Sequence, residues 1–328
     1  MTTRRQLLIA LGAVALAGPI ESIAQQAGKV YRIGHLSGSG EAGSKAFMDA
    51  FRLGMRELGY VEKQNFVLDE RYADGKFERL PSLAQELIRQ KCDVMLVSTT
   101  PGNVAAKAAT STVPIVMVLI ADPVGAGVVT NLAHPGGNIT GVTNIVAELA
   151  GKRLEILKEI VPSASRVAVF VNPNSQNAPL QMRVAEEAAQ KLKVQLRVHE
   201  VTGAGDLKNA FEAAVRGGAQ GALRMVDATV FMLRAQTAEL AALHRLPMMH
   251  LFREDVEAGG LVAYGASVPE QYRQAATFVH KILKGAKPGD LPVEQPAKFE
   301  LTINMKAAKA LGISIPQSLS LRADKVIE

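Results

Sequence analysis

The chain has 328 residues, of which 48% are apolar and 21% are charged, and its formal net charge is +6. This composition excludes an intrinsically disordered protein, and the length accommodates about two domains of 100–200 residues. Cys92 is the only cysteine, which excludes a disulfide scaffold. The pI of about 9.4 is basic, but Lys and Arg are scattered among Asp and Glu, so we expect no nucleic acid partner.

The first 24 residues have the three parts of a secretory signal peptide. An Arg4-Arg5 pair precedes an apolar run over residues 7–20, and Ala24 ends a small-residue cleavage motif. The run is shorter than the ~20 residues that span a bilayer, and a multi-pass membrane protein is excluded because no other long uncharged apolar run exists. The arginine pair resembles a twin-arginine signal, and export of the unfolded chain by the general route is the alternative. We expect cleavage near Ala24 and a mature protein in the periplasm.

The first half of the mature chain alternates between apolar strands and amphipathic helices. Hydrophobic patterning predicts strands over 30–36, 65–71, 93–97 and 114–120, and helices over 44–58, 77–90 and 103–110. Continuous apolar strands separated by helices are typical of a parallel sheet covered on both faces.

The same alternation then begins again. Strands are predicted over 166–171, 195–201, 221–226 and 247–250, and helices over 178–192, 206–216 and 229–244. We interpret 136–150 as a linker, and the tail from Gly259 as a strand, a helix, a proline-rich connection and a final strand and helix. The predicted fold class is α/β, with two doubly wound parallel-sheet lobes between which the tail crosses back.

A glycine-rich loop follows the first predicted strand. Gly38, Gly40 and Gly43 form a G-x-G-x-x-G motif before a helix, which is the context of a dinucleotide site. Asp69 or Glu70 would have to bind the ribose, but they lie about 30 residues after Gly38, where the usual spacing is ~20. The alternative is a flexible loop at the carboxyl edge of the sheet, which is where ligands bind in open α/β folds.

Polar side chains follow several other strands at their carboxyl ends. Thr99 and Thr100 open a helix whose N–H groups can bind a carboxylate or simply be capped. Asp122 and Asp227 each follow a strand, where a carboxylate can pair with a ligand ammonium or form an Asx turn. Asn172 begins a loop rich in amides and hydroxyls that is suited to orienting a polar ligand.

The chain shows no catalytic or metal-binding pattern. The six histidines are scattered without H-x-x-x-H or H-E-x-x-H spacing, and neither a G-x-S-x-G nor a Walker motif occurs. We therefore expect binding without chemistry, no metal and no cofactor.

Several segments in register make the sequence similar to a known family. They are 46–60, 112–127, 134–141, 172–173, 259–265 and 304–316. With them the chain resembles the substrate-binding proteins of ABC transporters in the family that includes tryptophan- and tyrosine-type binding proteins, which have the type I periplasmic-binding fold.

The resemblance implies two lobes joined by three crossovers, a ligand in the cleft between them and a membrane permease as partner. We place the crossovers near Thr143, Ser267 and Pro296. Lobe 1 would comprise 25–143 and 268–296, and lobe 2 would comprise 144–267 and 297–328.

The leading hypothesis is a periplasmic solute-binding protein of an ABC importer, a monomer that captures an amino acid or aromatic acid by hinge closure. We expect hydroxyls and helix N–H groups to hold the carboxylate, Asp122 or Asp227 to hold an ammonium, and Tyr264 to stack on an apolar part. The alternatives are an exported nicotinamide-dependent oxidoreductase and a ligand-sensing subunit of a receptor. The predicted ligand-binding residues are Ser37, Thr99, Thr100, Asp122, Asn172, Asp227 and Tyr264.

Overall fold

A computed structural model describes residues 29–144, 147–296 and 298–328. The predicted signal peptide and its cleavage site near Ala24 lie outside these residues. Within the described ranges, no helix is both long enough and apolar enough to cross a membrane.

The first sheet is parallel throughout, with the strand order β2-β1-β3-β4-β5. Every residue of β3 and β5 is buried, as expected for strands covered on both faces. The strands are β1 (Tyr31–Ser37), β2 (Phe66–Tyr72), β3 (Val94–Ser98), β4 (Ile115–Ile120) and β5 (Ile139–Thr143). The helices are α1 (Glu41–Glu57), α2 (Leu80–Arg89) and α3 (Thr100–Ala109), with a 3₁₀ turn at Phe77–Arg79.

The second sheet has the order β12-β11-β10-β9-β8-β6-β7, and only the β10–β11 pair is antiparallel. Its strands are β6 (Arg166–Val171), β7 (Gln195–Glu200), β8 (Gly221–Arg224), β9 (Met248–His250), β10 (Val262–Ala266), β11 (Phe299–Asn304) and β12 (Lys325–Ile327). The helices are α4 (Leu149–Ile160), α5 (Ala178–Leu192), α6 (Ala204–Arg216), α7 (Ala228–Met232), α8 (Arg234–Leu243), α9 (Arg253–Glu257), α11 (Met305–Leu311) and α12 (Gln317–Arg322).

Helix α10 (Val268–Leu283) returns the chain to the first sheet and packs on α1. The two helices approach closely at Gly54, where a Cβ would lie 2.6 Å from the carbonyl oxygen of Arg273. A short 3₁₀ turn at Pro288–Asp290 follows, and the chain then passes beside β5, where Thr143 N donates to Glu294 O at 3.0 Å.

The structure differs from the sequence prediction in several places. Helix α9, and helix α12 and strand β12 at the end of the tail, were not predicted. The region 136–150, which we interpreted as a linker, contains β5 and the start of α4. The strand was missed because its sequence, Ile-Thr-Gly-Val-Thr, has fewer apolar residues than the other predicted strands. The helix predicted over 229–244 is two helices. Leu233 leaves helical geometry with ψ 13°, and Arg234 donates from Nη1 to the carbonyl oxygen of Phe231 at 3.3 Å.

Candidate ligand-binding cleft

A cleft of about 460 Å³ lies between the carboxyl edges of the two sheets. This volume falls within the ~300–1,000 Å³ typical of small-molecule sites. On the side of the first sheet the cleft is lined by Phe77, Thr99, Thr100, Pro101, Val104, Leu119, Ala121 and Asn144. On the side of the second sheet it is lined by Asn172, Asn174, Ser175, Gln176, Asn177, Thr202, Val226, Asp227, Ala228, Thr229, Phe231 and Phe252.

The turn between β3 and α3 is strained and held in place by one buried amide. Thr99 has φ 70° and ψ 154°, a conformation that non-glycine residues rarely adopt. Asn103 fixes this turn by donating from Nδ2 to the carbonyl oxygens of Val97 at 3.2 Å and Thr99 at 2.8 Å. The Thr99 hydroxyl accepts from Gly102 N at 3.4 Å and caps the helix. The start of α3 therefore faces the cleft with the N–H of Thr100, since Pro101 has no N–H and Gly102 N and Asn103 N bond to Thr99. That N–H and the positive end of the helix dipole favour a carboxylate there.

The opposite wall is rich in amides and hydroxyls. Asn172 Oδ1 accepts from Asn174 N at 3.0 Å, so the side chain organises the loop that leads into α5. Within α5, the buried Gln181 donates to Val226 O and accepts from Val226 N, both at 2.9 Å. These two bonds tie the end of β8 to α5 and so position Asp227 at the cleft wall.

Three phenylalanines form an apolar part of the lining that the sequence analysis missed. Phe231 and Phe252 meet edge to face, with ring centroids 5.1 Å apart and an interplanar angle of 84°. Phe77 completes this part from the first sheet. Each of the three lies in the connection that follows the carboxyl end of a strand, namely β2, β8 or β9, and that position is the signal that could have identified them.

Four of the seven predicted site residues come together in the cleft lining, namely Thr99, Thr100, Asn172 and Asp227. Ser37, Asp122 and Tyr264 are not among the lining residues. Ser37 is 1% exposed and its hydroxyl accepts from Ser98 Oγ at 3.1 Å.

Local structure accounts for the other two. Asp122 accepts from Gly125 N at 2.8 Å, which is the Asx-turn alternative. Tyr264 lies in β10, with its ring centroid 6.1 Å from that of Phe299.

Side chains of the protein itself fill the space beside the first two glycines of the G-x-G-x-x-G motif. A Cβ on Gly38 would lie 2.8 Å from Cε1 of Phe77, and a Cβ on Gly40 would lie 2.9 Å from Oδ1 of Asp74. The two acids considered for a ribose are also engaged, since Asp69 pairs with Arg32 and Glu70 with Arg52. The close backbone approach that glycine permits here therefore serves packing of the loop.

A family model of ABC transporter substrate binding proteins matches residues 39–327. The chain belongs to this family. A tyrosine-binding protein of Clostridioides difficile (strain R20291) is 25% identical over 257 residues, which is 78% of this chain and 74% of that protein.

Solved structures share the fold over nearly the whole described chain. A conserved domain protein from Vibrio cholerae O1 biovar El Tor superposes with a TM-score of 0.85 at 28% identity, covering 91% of this chain and 100% of that one. The ABC domain in complex with L-Trp from Streptococcus pneumoniae gives 0.84 at 24% identity, again covering 91% and 100%. A ligand-free, open substrate-binding protein with adhesive properties from Clostridium difficile gives 0.70 at 24% identity, covering 91% and 99%.

The family membership decides against one of the hypotheses drawn from the sequence. The predicted resemblance and the predicted type I periplasmic-binding fold are confirmed. The family is one of solute-binding proteins, so the prediction of a non-enzyme is confirmed and the oxidoreductase alternative is wrong.

Proposed function

We propose that this protein captures a free amino acid with an aromatic or large apolar side chain and passes it to an ABC permease for import. The observation that carries the proposal is the composition of the cleft lining. Among the described residues that line it, Asp227 is the only carboxylate and no Lys, Arg or His occurs, while three phenylalanine rings supply an apolar surface. The tyrosine-binding relative and the L-Trp complex of a structural neighbour support the same class of solute.

The ligand is expected to bind by its three chemical parts. The carboxylate accepts hydrogen bonds from the start of α3 and from the hydroxyls of Thr99 and Thr100, because helix N-termini attract anions. The ammonium pairs with Asp227, and the side chain lies among the phenylalanine rings. These groups come from both sides of the cleft, so the ligand stabilises the closed arrangement over the open one.

We propose that closure turns on three crossovers near Thr143, Ser267 and Pro296. Lobe 1 then comprises 25–143 and 268–296, and lobe 2 comprises 144–267 and 297–328. The packing of α10 on α1 supports assigning this helix to lobe 1. The pairing of β10 with β11 supports assigning the last segment to lobe 2.

The location and partner follow from this role. We propose export by the N-terminal signal, cleavage near Ala24 and function as a periplasmic monomer that docks on a membrane permease. N-terminal sequencing of the protein recovered from the periplasmic fraction tests the export step, and a start near Gln25 is expected. A protein retained with its first 24 residues in the cytoplasm would contradict it.

Calorimetric titration of refolded mature protein tests the solute class. The panel is L-Trp, L-Tyr and L-Phe, together with the matching acids that lack the amine and the matching amines that lack the carboxylate. We expect the complete amino acids to bind most tightly. Equal binding of the deaminated acids would contradict an amino-acid site and favour an aromatic acid.

The role of Asp227 is tested by Asp227→Asn beside Asp122→Asn. Loss of a buried charge partner costs about 2 kcal/mol or more, so Asp227→Asn should weaken amino-acid binding at least ~30-fold. Its effect on the deaminated acids should be much smaller. A loss confined to Asp122→Asn would assign the ammonium to the other carboxylate and overturn this role.

A further inference from the structure

The turn after β2 and the first turn of α1 approach the second half of the molecule. A Cβ on Gly75, which has φ +79°, would lie 2.6 Å from Cε and 3.3 Å from Sδ of Met232. A Cβ on Gly43 would lie 3.7 Å from Nη2 of Arg234. Both side chains come from the α7–α8 segment on the opposite side of the cleft, and each lies next to a glycine of the first half.

Two turns of the first half form this surface together. Gly75 N donates to the carbonyl oxygen of Gly38 at 2.9 Å, and Asp74 N donates to Ser39 O at 3.4 Å. The turn after β2 is thereby joined to the loop before α1. We call residues 38–43 with Asp74 and Gly75 the glycine seat.

The residues that face the glycine seat belong to the α7–α8 segment of the second half. The Arg234 guanidinium lies over the Phe231 ring, with Cζ 4.9 Å from its centroid. The Phe231 ring in turn lies 6.3 Å from the ring of Phe47 in α1. Met232 stands between Phe231 and Arg234 in sequence and reaches Gly75. Neither Met232 nor Arg234 is among the described residues that line the cleft.

We infer that the contact of Met232 and Arg234 with the glycine seat stabilises the closed arrangement of the two lobes and so sets ligand affinity without touching the ligand. The inference rests on the proposed function, in which the cleft closes on its solute. A ligand that binds only the closed form has an apparent affinity proportional to the fraction of protein that is closed. Contacts made only in that form therefore raise affinity by shifting the population.

The population is measured directly in the full mature chain. Spin labels at Ser82→Cys and Lys208→Cys, exposed positions on α2 and α6, report the distance between the lobes, while Cys92 is 6% exposed and buried from the label. The distance distribution is recorded without ligand and with saturating L-Trp. We expect the ligand-free protein to show a measurable short-distance population, which Met232→Ala reduces about fivefold or more.

Titration with L-Trp provides the second readout. The Kd should rise by the same factor by which Met232→Ala lowers the closed fraction. Leu243→Ala is the control for an apolar truncation, because Leu243 is 72% exposed on α8. It should change neither quantity.

Substitutions of glycine distinguish the loss of the Met232 contact from the strain of placing a side chain on a positive-φ residue. Gly75→Ala and Gly59→Ala both place Cβ on a positive-φ residue, at +79° and +85°, but Gly59 has nothing within 4 Å. Only Gly75→Ala should reduce the closed fraction. Adding Met232→Ala to Gly75→Ala should produce no further loss, since the two residues act through one contact.

The outcomes distinguish this inference from the proposed function. If L-Trp fails to bind while Met232→Ala still lowers the short-distance population, the solute class is wrong and the glycine seat stands. An unchanged distance distribution in Met232→Ala overturns the inference. So does the absence of any short-distance population in the ligand-free protein.

Discussion

Gln181 and Val226 exchange two hydrogen bonds of 2.9 Å in the buried interior of the second sheet. Gln181 is fully buried, and its amide pairs with both backbone groups of the residue before Asp227. A side chain of helix α5 thus positions the carboxylate that we assign to the ligand ammonium.

Replacing Gln181 should therefore reduce both stability and binding. Gln181→Met leaves a buried N–H and a buried C=O without these partners, at a cost of about 1–3 kcal/mol for each group. It also releases the end of β8, so affinity for L-Trp should fall in calorimetric titration of the folded protein.

Gln220→Met is the matched control. Gln220 also bridges backbone groups, accepting from Ser165 N at 2.8 Å and donating to Ser163 O at 3.3 Å, but at the other end of the sheet. It should lower the urea midpoint and leave affinity unchanged. Equal affinities in Gln181→Met and wild type would show that the amide does not position Asp227.

A buried ion pair supports the same wall of the cleft. Arg224 pairs with Asp255, and their side chains are 3% and 0% exposed. Asp255 also accepts from Phe252 N at 3.2 Å, which fixes the backbone beside a cleft ring. Arg224→Met leaves the carboxylate buried without this partner and should lower the free energy of unfolding by about 3–5 kcal/mol.

An exposed pair gives the comparison for urea unfolding. Arg273 lies 2.9 Å from Glu57, and both side chains are nearly half exposed. Arg273→Met should cost less than about 1 kcal/mol, because water screens the charges. Similar losses in the two variants would contradict a special role for the buried pair.

Most of the fold could be predicted because strands that are buried on both faces have continuous apolar sequences. Strands such as β3 and β4 are continuous apolar runs, and α1 and α2 carry apolar residues at helical spacing. The strand β5 was missed because Thr140, Gly141 and Thr143 interrupt its apolar pattern. Its burial comes from neighbours that are distant in sequence, including Leu291, whose carbonyl oxygen accepts from Thr140 Oγ1 at 2.7 Å.

The site was predicted in part for a related reason. The ends of parallel strands indicate where a cleft forms, and Thr99, Asn172 and Asp227, which we predicted as ligand-binding residues on that ground, line the candidate cleft. A strand-end carboxylate serves equally well in a local turn, and only the fold shows that Asp122 bonds to Gly125 N. Phe231 and Phe252 are ordinary core residues in sequence, and their place at the cleft depends on how the two halves meet.

Two buried histidines make stability depend on pH. Burial lowers the pKa of His35 and of His250 to about 3, whereas an unfolded histidine titrates near 6.5. Below pH 6.5 the unfolded chain binds protons that the folded protein does not. The free energy of unfolding therefore decreases as the pH is lowered, by up to about 1.4 kcal/mol per pH unit for each ring. Above it the two rings contribute no slope.

Glu254 opposes the effect of the two histidines on stability over part of the pH range. Burial raises the pKa of its carboxyl to about 7, so between ~4.5 and 7 the folded state holds a proton that the unfolded state has lost. The steepest loss of stability is therefore expected below about pH 4.5, where Glu254 no longer opposes the histidines. Hydrogen bonds from Thr202 and Lys298 lower the pKa values of Asp206 and Asp324, so these carboxylates act there in the same direction as the histidines.

Urea unfolding from pH 7 to 3.5 tests this dependence. His35→Gln and His250→Gln should each reduce the slope of the free energy of unfolding against pH by the contribution of about one proton. His134→Gln, at an exposed position, should leave this slope unchanged. Parallel curves for wild type and both buried variants would assign the acid sensitivity to other groups.

The last prediction concerns a glycine at the pairing of β4 with β5. Gly141 has φ 139°, and a Cβ there would lie 2.2 Å from the carbonyl oxygen of Met117. The register shifts between Met117 and Ile120, and Leu119, with φ 52°, lines the cleft from this irregularity. Gly141→Ala must push the strands apart, so we expect a loss of about 3 kcal/mol or more in the free energy of unfolding and weaker L-Trp binding. Gly285→Ala is the control, because its φ is +99° and nothing lies within 4 Å; it should lose only about 1 kcal/mol to backbone strain and bind normally. Equal midpoints in urea for the two variants would mean that β4 and β5 tolerate a side chain at this contact.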